Sequence, residues 1–134
     1  MSEIYCGVDF IRIDRIKQAV ERRGNKFVRR VFTAVELTDC LTQSGSWRWP
    51  SLAARFAAKE AVAKALGRGL LGEHGIALHD VSVVKDSLGR PMAELKGKAK
   101  AVFNEIDGTS IALSLAHEGD YAIAYCTILC VHNK

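Results

Sequence analysis

One segment of the chain, residues 52–67, has the pattern of a helix but no face that suits water. Its alanines share one side of the predicted helix, and larger apolar side chains cover most of the other side. A helix that is apolar all round is normally buried, and small side chains let a neighbouring backbone approach it closely. The alanines on that side are Ala54, Ala57, Ala58, Ala61 and Ala65.

Four charged residues nevertheless lie within this apolar segment. They are Arg55, Lys59, Glu60 and Lys64. Burying a bare charge costs several kcal/mol, so charges on a buried helix are paired, bound to a metal or facing a cleft. The alternative is a surface helix whose i,i+4 ion pairs contribute about 0.2–0.5 kcal/mol each. The abundance of alanine and the scarcity of Glu, Gln and Asn disfavour a surface helix.

Length and composition predict one folded domain spanning residues 1–134, small enough to gain stability from oligomerisation. The hydrophobic fraction is 49%, and no low-complexity run interrupts it. No apolar run approaches the ~20 residues of a membrane span, and the N-terminal residues do not resemble a signal peptide. We therefore expect a cytoplasmic protein without a membrane partner.

The four cysteines form no CxxC pair and are surrounded by apolar residues. They are Cys6, Cys40, Cys126 and Cys130. This usage predicts buried, reduced thiols, and a zinc site is the less favoured alternative.

Positive charge is concentrated in residues 12–30, so that the rest of the chain is slightly acidic although the net charge is +4. Ile13, Ile16, Ala19 and Val20 recur there at helical spacing, with the cations mostly on the opposite side. The pattern predicts an amphipathic basic helix, followed by a basic connection, that suits a negatively charged partner. A solvated face that serves only solubility is the alternative.

The remaining pattern predicts an α+β fold, an antiparallel sheet with packed helices. A strand at residues 4–11 leads into the basic helix, and Thr33 with Glu36 has the spacing of a capping box. Pro50 and Ser51 open the apolar helix. A glycine-rich loop follows that helix, then a hairpin at 81–95, a helix at 98–106 and a hairpin at 110–131. The loop glycines are Gly67, Gly69, Gly72 and Gly75.

Asp9 and Glu60 are the candidate metal ligands. Asp9 is the only acid of the first strand, and Glu60 lies on the helix that we expect to be buried. Two carboxylates without a supporting His or thiolate suit Mg²⁺, which usually keeps water ligands and takes further oxygens from phosphate. Arg55, Lys59 and Lys64 beside Glu60 suit phosphate groups. His117, at the end of a strand, caps a turn more often than it contacts a substrate.

The residues alone thus predict a Mg²⁺-dependent protein that handles a phosphorylated or pyrophosphate ligand and has an acidic partner. The chain has no Walker A loop and no strand–GxGxxG–helix unit. A non-catalytic basic module that binds RNA or another polyanion through residues 12–30 is the alternative. That stretch offers Phe27 as its single aromatic for base stacking, and such a module has no use for Asp9 and Glu60.

Several blocks of sequence, in order along nearly the whole chain, resemble those of the holo-[acyl-carrier-protein] synthases, a family of 4′-phosphopantetheinyl transferases. The blocks are Gly7-Val8-Asp9, Ile13-Asp14-Arg15-Ile16, Arg55-Phe56-Ala57-Ala58-Lys59-Glu60-Ala61, Lys64-Ala65-Leu66-Gly67, Ser114-Leu115-Ala116-His117 and Tyr121-Ala122-Ile123-Ala124. The resemblance implies transfer of the 4′-phosphopantetheine of coenzyme A to a serine of apo-acyl carrier protein in fatty acid biosynthesis. It also implies release of adenosine 3′,5′-bisphosphate, and a homotrimer with active sites at subunit interfaces.

The same resemblance implies a role for individual residues. Asp9 and Glu60 would hold Mg²⁺ with the pyrophosphate of coenzyme A, and Lys64 would neutralise charge on the transferring phosphoryl group. Arg15, with basic neighbours such as Arg22, would grip the acidic carrier protein. Arg55, Lys59 and His117 would contact the phosphates and the nucleotide end. Gly67 would let the backbone approach the ligand closely.

The chain departs from the family pattern at two positions. Arg12 stands where many members carry Glu, so that a third acid at the metal site is not expected. Arg68 replaces a small polar residue that often follows Gly67.

Overall fold

The structure is a computed structural model that describes residues 1–68 and 75–133. Helices and strands follow one another in the order β1, α1 to α4, β2, β3, α5, β4 and β5, with a 3₁₀ turn at Leu78–Asp80 before β2. The helices are α1 (Ile13–Arg23), α2 (Asn25–Val31), α3 (Ala34–Cys40), α4 (Trp49–Ala65) and α5 (Gly97–Glu105). The strands are β1 (Ser2–Arg12), β2 (Val81–Lys85), β3 (Pro91–Leu95), β4 (Gly108–Glu118) and β5 (Tyr121–Val131).

Two antiparallel sheets form the β part of the fold. The larger has the strand order β1-β5-β4, and the smaller is the hairpin of β2 and β3. Both predicted hairpins are confirmed, and in the β2–β3 turn the Asp86 carboxylate accepts hydrogen bonds from the backbone N–H groups of Leu88 and Arg90. The α+β class with an antiparallel sheet and packed helices is also confirmed.

Helix α4 packs across one face of the larger sheet, as its apolar composition predicts. Its alanines and Leu52 and Val62 are almost entirely shielded from solvent. The closest approach is at Gly7 of β1, where an added Cβ would lie 2.2 Å from the carbonyl oxygen of Ala61 and 2.9 Å from the Cβ of Lys64. Glycine is therefore required at residue 7, because any side chain would push β1 away from α4.

The segment predicted as a basic connection is helical. Gly24, with a φ of 67°, ends α1, and the chain then turns directly into α2. A glycine adopts this left-handed backbone at little cost, so that a short second helix can start at once. The capping box at the start of α3 is confirmed, because the Glu36 carboxylate accepts a hydrogen bond from the backbone N–H of Thr33.

The face of the larger sheet that points away from α4 is apolar and exposed. Alternation along the strands places Ile4, Val8 and Phe10 of β1 on this face, together with Ile123 and Tyr125 of β5. In the described parts of the chain, no helix is long and apolar enough to cross a membrane.

Three of the four cysteines are buried, as expected, and the described structure contains no disulfide. Burial raises the pKa of the Cys126 thiol to about 12 and that of Cys40 to about 11, so both stay protonated. The expectation is wrong for Cys6, which is exposed because the even-numbered residues of β1 face away from α4.

Candidate functional site

Asp9 and Glu60 lie together, as the sequence predicts. Asp9 is on the face of β1 that α4 covers, and Glu60 is on the α4 turn before Lys64, whose Cβ meets Gly7. The two carboxyl groups are neighbours, since Asp9 raises the pKa of the Glu60 carboxyl. The tight contact at Gly7 thus holds the acid of the strand against the acid of the helix.

The surroundings of Glu60 disfavour its negative charge. Burial raises the pKa of the Glu60 carboxyl, and the neighbouring Asp9 carboxylate raises it further, whereas Lys64 and Arg15 act in the opposite direction. Two carboxylates that repel each other in a partly buried position form a site that attracts a cation. No group of three or more His, Cys, Asp or Glu residues lies together as a metal cluster among residues 1–68 and 75–133.

Lys64 supplies a cation to this site. Its Nζ donates hydrogen bonds to the backbone carbonyl of Val8 at 2.9 Å and to Oδ1 of Asp9 at 3.3 Å. The Lys64 side chain is 56% exposed, whereas that of Asp9 is 13% exposed. The ammonium group is therefore bound at the site but remains open to solvent.

A groove with a volume of about 750 Å³ opens from these residues. Glu60 and Lys64 line one part of it, and the rest has an apolar floor with arginines around it. Such a groove suits a ligand that carries phosphate groups on an apolar arm. Its other named lining residues are Arg23, Phe27, Arg30, Val31, Phe56, Ala63, Arg68, Ala77 and Leu78.

A second cavity, with a volume of about 370 Å³, continues this groove along α1. Arg15 and Arg22 line it, and it shares Arg23, Phe27 and Phe56 with the larger groove. The two predicted partner-binding arginines therefore lie beside the same groove as Glu60 and Lys64.

The predicted placement of Lys59 beside Glu60 is wrong. The Lys59 side chain is fully buried and forms an ion pair with Glu36, with 2.6 Å between Nζ and Oε1. Its Nζ also donates to the backbone carbonyls of Leu78, at 3.3 Å, and of Val81. Burial lowers the pKa of Lys59, and the Glu36 carboxylate opposes this effect. Adjacent positions on a helix point about 100° apart, so Lys59 faces α3 and β2 while Glu60 faces β1.

Arg55 also lies away from Glu60, because it is one turn before Lys59 on the same side of α4. Its guanidinium is 3.5 Å from the Asp39 carboxylate and donates to the backbone carbonyl of Ser51 at 3.3 Å. The side chain is only 6% exposed. Nε of Arg55 is buried and has no hydrogen-bond partner within the described residues.

His117 is exposed and separate from the Asp9–Glu60 pair within the subunit. It lies opposite Ala122 of β5, so β5 stands between His117 and β1. It lines a different cavity, of about 390 Å³, with Phe10 and Tyr121. His117 therefore does not reach the groove of its own chain.

The glycine-rich loop is described only in part. Gly67, with a φ of 76°, follows the C-terminal end of α4, where its N–H donates to the carbonyl of Lys64. Gly75 is described, but the predictions for Gly69 and Gly72 fall outside the described residues.

Sequence reasoning missed two features of the site. It named Glu36 only as a helix cap, because nothing along the chain indicates that its second oxygen accepts from Val83 and its first binds Lys59. It also gave Phe27 and Phe56 no place in a groove. Both are aromatic residues next to cations, which is the signal that could have been used.

Comparisons with known proteins identify the family of this chain. The family model of the 4′-phosphopantetheinyl transferase superfamily matches residues 5–126. A holo-[acyl-carrier-protein] synthase of Ruminiclostridium cellulolyticum is 44% identical over 126 residues, which cover 94% of this chain and 92% of that protein. The synthase of Roseiflexus castenholzii is 47% identical over 114 residues, covering 83% of this chain and 80% of the relative.

Solved structures are similar as well. The Helicobacter pylori holo-[acyl-carrier-protein] synthase in complex with coenzyme A superimposes with a TM-score of 0.77 at 29% identity, covering 92% of this chain and 98% of that one. A synthase–coenzyme A complex from Chronobacterium ammoniagenes superimposes with a TM-score of 0.79 at 32% identity, covering 94% of this chain and 96% of that one. The alternative of a non-catalytic polyanion-binding module has no support among these matches. The chain belongs to the 4′-phosphopantetheinyl transferase superfamily.

Proposed function

We propose that this protein transfers the 4′-phosphopantetheine group of coenzyme A to a serine hydroxyl of apo-acyl carrier protein. The observation that carries the proposal is the cluster of Asp9, Glu60 and Lys64 at a groove with cationic walls and an apolar floor. Relatives that cover nearly the whole chain carry this activity in their name. We also propose that the enzyme is cytoplasmic and serves fatty acid biosynthesis.

The residues present fit a magnesium ion. Mg²⁺ is commonly held by one or two carboxylates and by substrate phosphates, and Asp9 and Glu60 offer two carboxylates side by side. The bonding of the Lys64 ammonium to Asp9 supports this assignment, since it shows that the position favours a cation. When bound, the ion would neutralise charge on the pyrophosphate of coenzyme A.

The chain's own residues would bind and orient the reactants. Lys64 would bind the phosphoryl oxygens, and the arginines at the groove would hold the remaining phosphates. Phe27 and Phe56 would pack against the methyl and methylene groups of the pantetheine arm of coenzyme A. Binding both reactants in one groove would bring the serine oxygen in line with the phosphorus atom.

Arg55 and Lys59 have no place among these ligands in our proposal. Both are bound to carboxylates inside the fold, and Lys59 would have to leave a fully buried ion pair to reach a phosphate. We assign them to the folding of α4.

We further propose that acyl carrier protein docks on α1 through Arg15 and Arg22. Both arginines lie beside the groove that holds Glu60, so a partner bound there would present its serine to the reacting phosphate. An acidic partner suits the excess of positive charge in this part of the chain.

We also propose that the chain forms a homotrimer through the apolar face of its larger sheet. Phe10 is 61% exposed, Val8 48% and Tyr125 46% in the single chain, and contiguous apolar surface of this kind marks an interaction site. His117, at the edge of this face, would then serve the active site of a neighbouring subunit.

Mass spectrometry tests the transferase activity directly. Incubation with apo-acyl carrier protein, Mg²⁺ and coenzyme A should add the mass of phosphopantetheine to the carrier and release adenosine 3′,5′-bisphosphate. A carrier whose acceptor serine is replaced by alanine is the control, and it should stay unmodified. An unchanged mass of the intact carrier would contradict the proposal.

Sedimentation tests the trimer separately. Tyr125→Glu places a charge in the centre of the apolar face and should shift the protein from trimer to monomer. Leu88→Glu is the matched control, because Leu88 is 87% exposed in the β2–β3 turn, away from that face. A wild-type protein that sediments as a monomer at micromolar concentration would contradict the trimer.

A further inference from the structure

Lys64 makes two contacts that concern the metal site more than the substrate. Its Nζ binds the Asp9 carboxylate at 3.3 Å and the Val8 carbonyl at 2.9 Å, so both bonds tie the end of α4 to β1. Asp9 is also one of the two acids that we assign to the metal. The ammonium group therefore bonds to a carboxylate that the ion would also use.

A divalent ion and the Lys64 ammonium would repel each other at this distance from Asp9. Like charges that share one carboxylate lie close together, and their repulsion is strong where the surroundings are less polar than water. The repulsion is weaker here, because the Lys64 side chain is 56% exposed and solvent screens it. The two cations nevertheless compete for one carboxylate.

The side chain of Lys64 borders the groove as well as Asp9. It lines the 750 Å³ groove together with Glu60, and its exposed stem is not enclosed by the core. A rotation of this side chain away from Asp9 would carry the ammonium group into the groove, where we expect the phosphates to bind.

We propose that Lys64 is the resident counter-ion of Asp9 in the empty site and is released to the substrate phosphate when a divalent ion binds. This inference rests on the proposed function. Ion binding then frees the phosphate-binding cation, and phosphate binding removes the competitor of the ion. Such coupling is reciprocal, so each ligand must raise the affinity for the other by the same factor.

The first test measures metal binding without any substrate. Mn²⁺, which prefers the same oxygen ligands, is titrated into the intact protein and its free concentration is followed by electron paramagnetic resonance. Lys64→Gln removes the competing charge and should tighten Mn²⁺ binding about fivefold, the factor that corresponds to the upper range of ~1 kcal/mol for an exposed ion pair. Lys64→Arg keeps the charge and should bind Mn²⁺ like the wild type.

Arg15→Gln is the matched control for a general effect of charge. Arg15 also lowers the pKa of Glu60 through space, but within the described residues no ion pair joins it to Asp9. The Arg15→Gln substitution should tighten Mn²⁺ binding clearly less than Lys64→Gln does. Equal tightening in both variants would overturn the proposal, because it would show that the net field alone governs the ion.

The second test measures coenzyme A binding calorimetrically, with and without Mg²⁺. Mg²⁺ should raise the affinity for coenzyme A by a larger factor in the wild type than in Lys64→Gln, since only the wild type has a lysine to release. Equal factors would overturn the proposal.

The outcomes separate this inference from the proposed function. The wild type could bind Mn²⁺ through Asp9 and modify the carrier while Lys64→Gln binds Mn²⁺ no more tightly. That result would overturn the lysine exchange alone. An Asp9→Asn variant that binds Mn²⁺ as tightly as the wild type would overturn both the metal assignment and the exchange.

Discussion

Two lysines of the same helix form ion pairs in contrasting surroundings. Lys59 and Lys64 both lie on α4, they are five positions apart, and each binds a carboxylate. The Lys59–Glu36 pair is fully buried and has backbone partners on both sides, whereas the Lys64–Asp9 pair borders a groove and Lys64 is 56% exposed. The difference teaches that position relative to the core, not residue type, decides whether such a pair supports the fold or the chemistry.

The buried pair is expected to give the larger effect on stability. Lys59→Met leaves the Glu36 carboxylate buried without its cation, and breaking a buried pair in this way costs about 3–5 kcal/mol. Urea unfolding followed by circular dichroism should show this loss.

The double variant Lys59→Met/Glu36→Gln separates the charge from the packing. It removes the uncompensated charge and should recover part of the stability, because the amide of Gln can still accept one hydrogen bond. A Lys59→Met variant as stable as the wild type would contradict the comparison, since the buried pair would then not support the fold.

The acid that faces the Lys64–Asp9 pair, Glu60, is expected to act on turnover instead. Glu60→Gln removes one of the two carboxylates that we assign to the metal and should lower turnover by at least about 10², the size typical of a lost electrostatic contribution to the transition state. Its free energy of unfolding should stay equal or rise, because Asp9 then no longer faces a like charge. An assay of carrier modification together with thermal unfolding distinguishes the two effects, and undiminished turnover would contradict the assignment.

The carrier-binding surface predicts a smaller and more selective effect. Arg15→Glu should raise KM for acyl carrier protein about tenfold, corresponding to ~1.4 kcal/mol, and leave KM for coenzyme A nearly unchanged. Arg29→Glu is the control of equal charge change, since Arg29 is exposed on α2 and lines neither part of the groove. Equal changes in both KM values for Arg15→Glu would show that the docking surface is misplaced.

Sequence patterns predict most of the fold because its signals are local. The capping box at Thr33, the two hairpins and the apolar character of α4 each depend on residues that are near one another in the chain. The proximity of Asp9 and Glu60 was expected from a strand acid beside a buried helix and from the family resemblance, and the structure places them together through Gly7.

The partners of Arg55 and Lys59 could not be predicted in the same way. Their carboxylate partners, Asp39 and Glu36, come from α3. Because α4 is apolar on nearly every side, its own sequence does not indicate which side faces α3. Four charges on such a helix therefore look alike in the sequence. The register of α4 against α3 and β2 decides which of them is buried.

His132 forms a third ion cluster that sharpens the comparison, because it binds two carboxylates but lines neither the 750 Å³ groove nor the cavity along α1. Its Nε2 lies 2.6 Å from Glu3, and its Nδ1 lies 2.7 Å from Asp107, so the cluster joins β1 to the end of β5 and to the turn before β4. These hydrogen bonds raise the pKa of His132, with Asp107 the larger contributor, and His132 in turn lowers the pKa of Glu3. All three side chains are partly exposed, so we expect the smallest effect of the series here.

The pH dependence of this cluster follows from the direction of the shift. Because the folded protein holds the His132 proton more tightly than the unfolded chain, the stabilisation is complete below the ordinary pKa of 6.5 and is lost as pH rises through the raised value. His132→Gln should therefore lower Tm at about pH 6 and have a diminishing effect toward about pH 9. Thermal unfolding of both proteins across this range measures the difference. A difference in Tm that stays constant with pH would mean that the cluster contributes through hydrogen bonds alone and that its charge plays no part.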